Sequence, residues 1–217
     1  MNSHDLHILI VGGGRVGLRT AQTLDNRGHH VTVIERDPAQ CDRIADEYVA
    51  QVIEGDATRP SILQQANLDQ MDVLAALTGD VGTNLAVCLT AEQYAPTVRT
   101  ILRRLGEDDD EYAELVDSTV FPEHAGARIA VNAIDPGVRA LEDMVGVLEI
   151  LEIEVTESAP VAGRTLADVA LPEGSIVVSG TDGDTIARAD TTLEPGRSFV
   201  VATEPDVETE IIRLFRG

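Results

Sequence analysis

The chain has no lysine and no tryptophan, and only three phenylalanines and three tyrosines among 217 residues. A core built from it must therefore be aliphatic. With 38 acids against 16 bases, every base an arginine, no basic face is available for nucleic acid or anionic lipid, and neither is expected as a partner. The apolar runs are strand-sized, too short to span a bilayer, so no direct membrane insertion is expected. The opening "MNSHDLHILIV" lacks the basic region and long apolar segment of a signal peptide, which predicts a cytoplasmic protein. Cys41 and Cys88 form no CxxC pair and read as reduced, partly buried thiols. The five histidines (His4, His7, His29, His30 and His124) show no metal-ligand spacing.

What is present is negative charge. A net charge of −22 would repel itself strongly in a compact fold at low ionic strength. At molar salt the screening length falls to about 3 Å, which predicts a cytoplasm of high internal salt. The densest acidic block, "GEDDDEYAE" at 106–114, reads as a solvated helix face.

Strand-like and helix-like segments alternate through the first two thirds. Strands are expected at 6–11, 30–35, 48–55, 72–77, 97–102 and 118–121, with helices at 15–27, 38–47, 59–68, 80–95 and 109–116. Short connections between such units predict an α/β fold, a Rossmann-like doubly wound parallel sheet. From Pro122 a helix is expected, broken near Asp135-Pro136-Gly137 and resuming to about Val145. Strands follow at 147–155, 175–180, 185–189 and 197–202, with Asp182-Gly183 suited to a hairpin, and a last helix at 206–215. The expected domains are 1–121 (nucleotide-binding), 122–146 (helical connector and dimerisation region) and 147–217 (small α+β domain).

"HILIVGGGRVGLRTAQTL" (7–24) places Gly12, Gly14 and Gly17 as G-x-G-x-x-G between a strand and a helix. The first glycine permits the tight turn, the second lets backbone approach a pyrophosphate, and the third allows close helix–strand packing. The helix start then offers free N–H groups and its dipole to phosphate. Glu35 ends the second strand about 20 residues further on, where a carboxylate accepts from ribose hydroxyls. It also repels a 2′-phosphate, while Arg36 beside it keeps NADP open.

The segments "ILIVGGGRVG", "VTVIERD", "VIEGDAT", "LAALTGDVGTNL" and "VRTILRR" resemble the successive signatures of the RCK/KTN (TrkA-N) domain. The stretch from "LEILEIEV" to "GRSFVVAT" resembles its companion TrkA-C domain. The resemblance implies a cytosolic regulatory subunit, peripheral to the inner face of the membrane, that gates a membrane-embedded Trk/Ktr-type potassium transporter. It implies NAD or NADH, or alternatively ATP/ADP, as ligand. By motif, Gly12, Gly13, Gly14, Arg15, Val16 and Gly17 would wrap the phosphates, and Glu35 with Arg36 would meet the adenosine ribose. Asp56 and Ala57 would lie near the adenine, and Thr78, Gly79 and Asp80 would line the cleft. Arg103 would face the phosphates or a neighbouring subunit. Asp56 could instead cap the following turn, and Arg103 could be a surface ion pair.

A dehydrogenase would need a second domain with a general acid or base. After position 124 there is no His, Cys, Lys or Tyr. An NAD-dependent oxidoreductase, or a Rossmann-type redox sensor unconnected with transport, is therefore the lesser alternative. No catalytic residue and no metal is expected. A switch from 1:99 to 99:1 needs about 5.5 kcal/mol of differential affinity. That favours several sites, hence a homodimer assembling to a tetramer or octamer ring.

Overall fold

The computed structural model describes residues 5–106, 111–112, 114–143, 148–180 and 185–217. It divides into two compact units that meet in sequence between His124 and Ala125.

The first unit holds strands β1 (His7–Val11), β2 (His30–Glu35), β3 (Gln51–Glu54), β4 (Val73–Ala76), β5 (Arg99–Arg103) and β6 (Ser118–Val120). Their order in the sheet is β3-β2-β1-β4-β5-β6, and every pairing is parallel. Helices α1 (Arg15–Asp25), α2 (Pro38–Asp46), α3 (Pro60–Gln65) and α4 (Val81–Tyr94) connect the strands. Continuous apolar runs make strands buried on both faces, because alternate side chains then enter two separate cores. In β1, Ile8 and Ile10 pack with Val31, Val33 and Ile44, whereas Leu9 and Val11 pack with Leu63, Leu74, Val87 and Leu102. Each such fully buried aliphatic side chain contributes about 1.5–3 kcal/mol. Asp37 caps α2 by accepting from Ala39 N–H at 3.0 Å, with Pro38 in the first turn, as its sequence position suggests.

Helix α5 (Pro122–Ile134) leads on to β7 (Val138–Asp143), β8 (Glu149–Glu154), β9 (Ser175–Gly180), β10 (Ser198–Thr203) and α6 (Glu208–Arg216). The second sheet is antiparallel, in the order β7-β8-β10-β9. Its core joins Leu151, Ile153, Val201 and Leu193 to Ile211 and Phe215 of α6, with Phe199 and Phe215 edge to face, centroids 6.4 Å apart.

Three expectations change. The helix expected to resume after Gly137 is the strand β7. Pro136 prevents a continued helix, and Val138 and Ala140, two apart, turn to the same core as strand residues do. Asn132 of α5 fixes the strand's start, accepting from Ala140 N–H at 2.9 Å and donating to its carbonyl at 2.7 Å. Second, 185–189 is no strand; among the described residues it is tied to β9 only by a bridge between Ser179 and Ile186. Third, β3 starts at Gln51 rather than Tyr48, whose backbone lies at φ 56°. The Asp182-Gly183 hairpin and most of the acidic block at 106–114 fall outside the described residues, as do 109, 110 and 113 of the helix expected at 109–116; its described residues 111–112 and 114–115 lie in 3-10 turns. Among the described residues, no helix is long and apolar enough to cross a membrane.

Candidate functional site

A cleft of about 310 Å³ opens at the carboxyl ends of β1 to β4. β1 and β4 are neighbours although two strands intervene in sequence, so the crevice is a topological switch point where open α/β sheets bind ligands.

The glycine loop has the shape its sequence requires. Gly12 stands at φ +99°, and a Cβ there would press on Thr78. A Cβ on Gly17 would lie 1.8 Å from the Gly12 carbonyl oxygen, so no other residue permits α1 to start this close to β1. A Cβ on Gly14, by contrast, would meet nothing within 4 Å, because that position faces open cleft. Gly14 is also the N-cap of α1 and supplies no side-chain cap, leaving the first-turn N–H groups without intrahelical acceptors.

Glu35 anchors this loop. Its Oε2 accepts from Gly13 N–H at 2.6 Å, and its Oε1 from the N–H groups of Arg36 at 2.7 Å and Asp37 at 2.9 Å. A carboxylate offers about four acceptor positions, so one direction on Oε2 is still open to a hydroxyl. Across the cleft Asp56 Oδ1 accepts from Thr58 N–H at 3.0 Å and Thr58 Oγ1 at 2.7 Å. The Thr58 hydroxyl and amide bonds lower the Asp56 pKa against a small burial cost, helped by Arg59 and Arg36. Asp56 thus caps its turn and lines the cleft at once. Asp80 caps α4, accepting from Thr83 N–H at 2.7 Å, and the Thr83 hydroxyl and amide hold its carboxyl below the ordinary value.

Of the residues singled out in the sequence, Gly12, Gly14, Glu35, Arg36, Asp56, Ala57, Thr78 and Asp80 line the cleft. Gly13, Arg15, Val16, Gly17, Gly79 and Arg103 do not. Gly13 reaches the site through its bond to Glu35, and Arg103 donates to the carbonyls of Leu77 and Thr78 and to Glu123. Sequence reasoning missed Asn84, which is fully buried and bonded to Thr78 and Arg103. Its signal was present: Asn84, Val87, Cys88 and Ala91 share the buried face of α4 at helical spacing.

The two thiols are unsuited to nucleophilic work. Burial raises the Cys41 pKa, as do the nearby carboxylates of Glu54, Glu35, Asp37 and Asp42. Burial takes Cys88 up to about 12. Neither is a thiolate near neutral pH.

Parallel order, switch-point cleft, glycine loop and carboxylate at the end of β2 define a Rossmann-like nucleotide-binding domain. The chain matches the TrkA-N domain over residues 8–122 and the TrkA-C domain over residues 150–216. It is 34% identical, over 98% of its own length and all of the relative's, to the Trk system potassium uptake protein TrkA homolog of Methanothermobacter thermautotrophicus. The chain belongs to the TrkA family. Among solved structures, the GsuK channel bound to NAD aligns with a TM-score of 0.61 at 18% identity, over 94% of this chain and 38% of that one. GsuK bound to ADP aligns with a TM-score of 0.52 at 29% identity, over 62% of this chain and 35% of that one. The chain thus spans well under half of either channel chain.

Proposed function

We propose that this protein is a cytoplasmic, nucleotide-sensing regulatory subunit that gates a membrane-embedded Trk/Ktr-type potassium transporter. The observation that carries the reading is the cleft: Glu35 holds the glycine loop through Gly13 and keeps one acceptor direction for a ribose hydroxyl. The ligand is NAD(H) or, alternatively, ATP/ADP. Likeness to a channel bound to NAD, and to the same channel bound to ADP, supports an adenine nucleotide of either kind. The phosphates meet the start of α1, and Gly12, Gly13, Gly14, Arg15, Val16 and Gly17 shape that turn. Asp56 and Ala57 lie on the adenine side, and Thr78, Gly79 and Asp80 close the β4 rim. Two protonated thiols, and a second unit without His, Lys or Cys, favour reading the nucleotide over reacting with it.

The surface of α5 supports self-association. Ala127, Ala130, Val131 and Ile134 make an exposed apolar stripe at i, i+3, i+4 and i+7, with Ile134 81% exposed. The assembly is a homodimer at least, extended to a tetramer or octamer ring, and nucleotide shifts its hinge by its differential affinity for two states.

Calorimetric titration with NAD, NADH, ATP and ADP in molar KCl tests the ligand. Wild type binds at least one of them, and Glu35→Ala weakens it about tenfold through the lost ribose bond and loosened loop. Wild type that binds none tighter than about 1 mM, an affinity of only about 4 kcal/mol, removes the sensor's ligand. Light scattering in the same salt reads the assembly, and a monomer at all concentrations contradicts the hinge.

A further inference from the structure

The end of β5 is joined to two places at once. Arg103, with its side chain only 14% exposed, directs Nη1 to the Leu77 carbonyl at 3.2 Å and the Thr78 carbonyl at 3.4 Å. Its Nη2 donates to Oε1 of Glu123 in the first turn of α5. Leu77 and Thr78 line the β4 rim of the cleft, whereas Glu123 does not line it. One planar group therefore spans the distance between the rim and a helix that leaves the sheet.

The surroundings make this connection stiff. Asn84 donates to both the Thr78 carbonyl at 3.2 Å and the Arg103 carbonyl at 2.9 Å, binding the rim and the end of β5 into one block. Among the described residues Nε of Arg103 is buried without a hydrogen-bond partner, so the two Nη groups alone hold the guanidinium. The guanidinium is a rigid fork, and a movement at one arm is a movement at the other. At the far arm, burial raises the Glu123 pKa. The Arg103 bond, the residue's own amide and the Arg103 charge outweigh that and hold the carboxyl below its ordinary value, so the ion pair is charged at neutral pH.

We propose that Arg103 is a positioning residue that couples occupancy of the cleft to the first turn of α5, through a fork shared by the Thr78 rim and Glu123. The inference rests on the nucleotide reading above and adds the path by which occupancy leaves the site. A ligand that packs on Thr78 displaces the carbonyls held by Nη1 and changes what Nη2 offers Glu123. Coupling of this kind is reciprocal, so loss of the Glu123 arm must alter nucleotide affinity although Glu123 does not line the cleft. The exposed apolar stripe of α5 begins four residues further along the helix, at Ala127.

The test uses the full chain in molar KCl, titrated with ADP and with NAD, followed by amide hydrogen exchange on wild type, Glu123→Gln and Arg103→Lys. Nucleotide slows exchange in wild type both in the Gly12–Gly17 loop and in the first turn of α5. Glu123→Gln binds about fivefold or more weakly, and when saturated it protects the glycine loop but not α5. Arg103→Lys behaves in the same way, because a point charge cannot keep both arms. Unaltered affinity in Glu123→Gln, with α5 still protected by nucleotide, overturns the coupling and leaves the nucleotide reading standing. Wild-type behaviour of Arg103→Lys overturns the fork. A wild type that binds neither nucleotide overturns both the coupling and the reading beneath it.

Discussion

Asn84 encloses Thr78. Its Oδ1 accepts from the Thr78 amide at 3.0 Å and the Thr78 hydroxyl at 2.6 Å, while its Nδ2 donates back to the Thr78 carbonyl at 3.2 Å. The Asn84 side chain is fully buried, so its own amide has no water as a substitute for these partners. Replacing Asn84 by the similarly shaped leucine takes the side-chain partner from the part-buried Thr78 amide and Arg103 carbonyl, whereas the Thr78 carbonyl keeps Arg103; a buried group left unpaired costs about 1–3 kcal/mol. Asn84→Leu should therefore lose about 2 kcal/mol or more in urea unfolding at molar KCl, and should also weaken nucleotide binding by freeing the β4 rim. A loss below about 0.5 kcal/mol would show that the rim is held by other means.

The third and second glycines of the loop separate folding from binding. Gly17→Ala forces a methyl onto the Gly12 carbonyl oxygen, so α1 must move away from β1. That variant should unfold at a clearly lower temperature. Gly14→Ala meets open space at an ordinary φ of −64°, and its thermal midpoint should match wild type. On the proposed reading its methyl projects where the phosphates would approach, however, and affinity should drop about tenfold or more, a cost of about 1.4 kcal/mol. Undiminished affinity in Gly14→Ala would place the ligand elsewhere.

Asp117 supplies a pH-dependent term. Its Oδ2 accepts from Thr100 N–H at 2.7 Å and Thr100 Oγ1 at 3.0 Å, joining the start of β6 to β5. These bonds, the amide first, hold the Asp117 carboxyl below its ordinary value against a small burial cost, with Arg99 assisting. The folded pKa is the lower one, so the folded state binds fewer protons than the unfolded state as pH falls. Stability from this group is fully present above the ordinary aspartate pKa and is lost as pH drops through the folded value. Asp56, Asp80 and Glu123 act in the same direction. Asp117→Asn should flatten the acid limb of a stability–pH profile measured at constant molar KCl, with little change in slope above pH 6. An unchanged acid limb would remove Asp117 from the account.

How much of this was legible in the sequence depends on how local the cause is. The first strand, the helix opening at Pro38 and the glycine loop with Glu35 are set by neighbouring residues, and all were readable. The strand β7 was not, because "VRALED" carries alanine, leucine and acids suited to a helix, and only pairing with β8 decides otherwise. The segment 185–189 failed in the opposite sense: it is β-branched at Thr185 and Ile186 but, among the described residues, it pairs with β9 only through the Ser179–Ile186 bridge. The burial of Asn84 was visible in its spacing, yet its partners come from a different strand. Arg103 could be named from its place at a strand end, but its partner Glu123 lies 20 residues on, past β6, and nothing in the spacing singles it out.

Salt should act on this protein in an unusual direction. With a net charge of −22 and no lysine, charges of one sign outnumber the other over the whole chain, and compaction brings them together. At about 0.1 M salt the screening length is about 10 Å, long enough for neighbouring carboxylates to repel; at 1 M it is about 3 Å. Urea midpoints should therefore rise steeply between about 0.1 M and about 3 M KCl, and equal stability at both would sink the high-salt reading. Binding carries the same sign. The cleft presents Glu35, Asp56 and Asp80 against Arg36, so an anionic nucleotide approaches a negative rim on a negative protein. Whereas phosphate binding by a basic protein weakens with salt, ATP affinity here should strengthen from dilute to molar KCl. NAD, with less negative charge, should respond less. Titrations of ATP and NAD along one KCl series measure the difference directly, and an ATP affinity that falls with salt would mean that local donors at the start of α1, not the overall field, govern recognition.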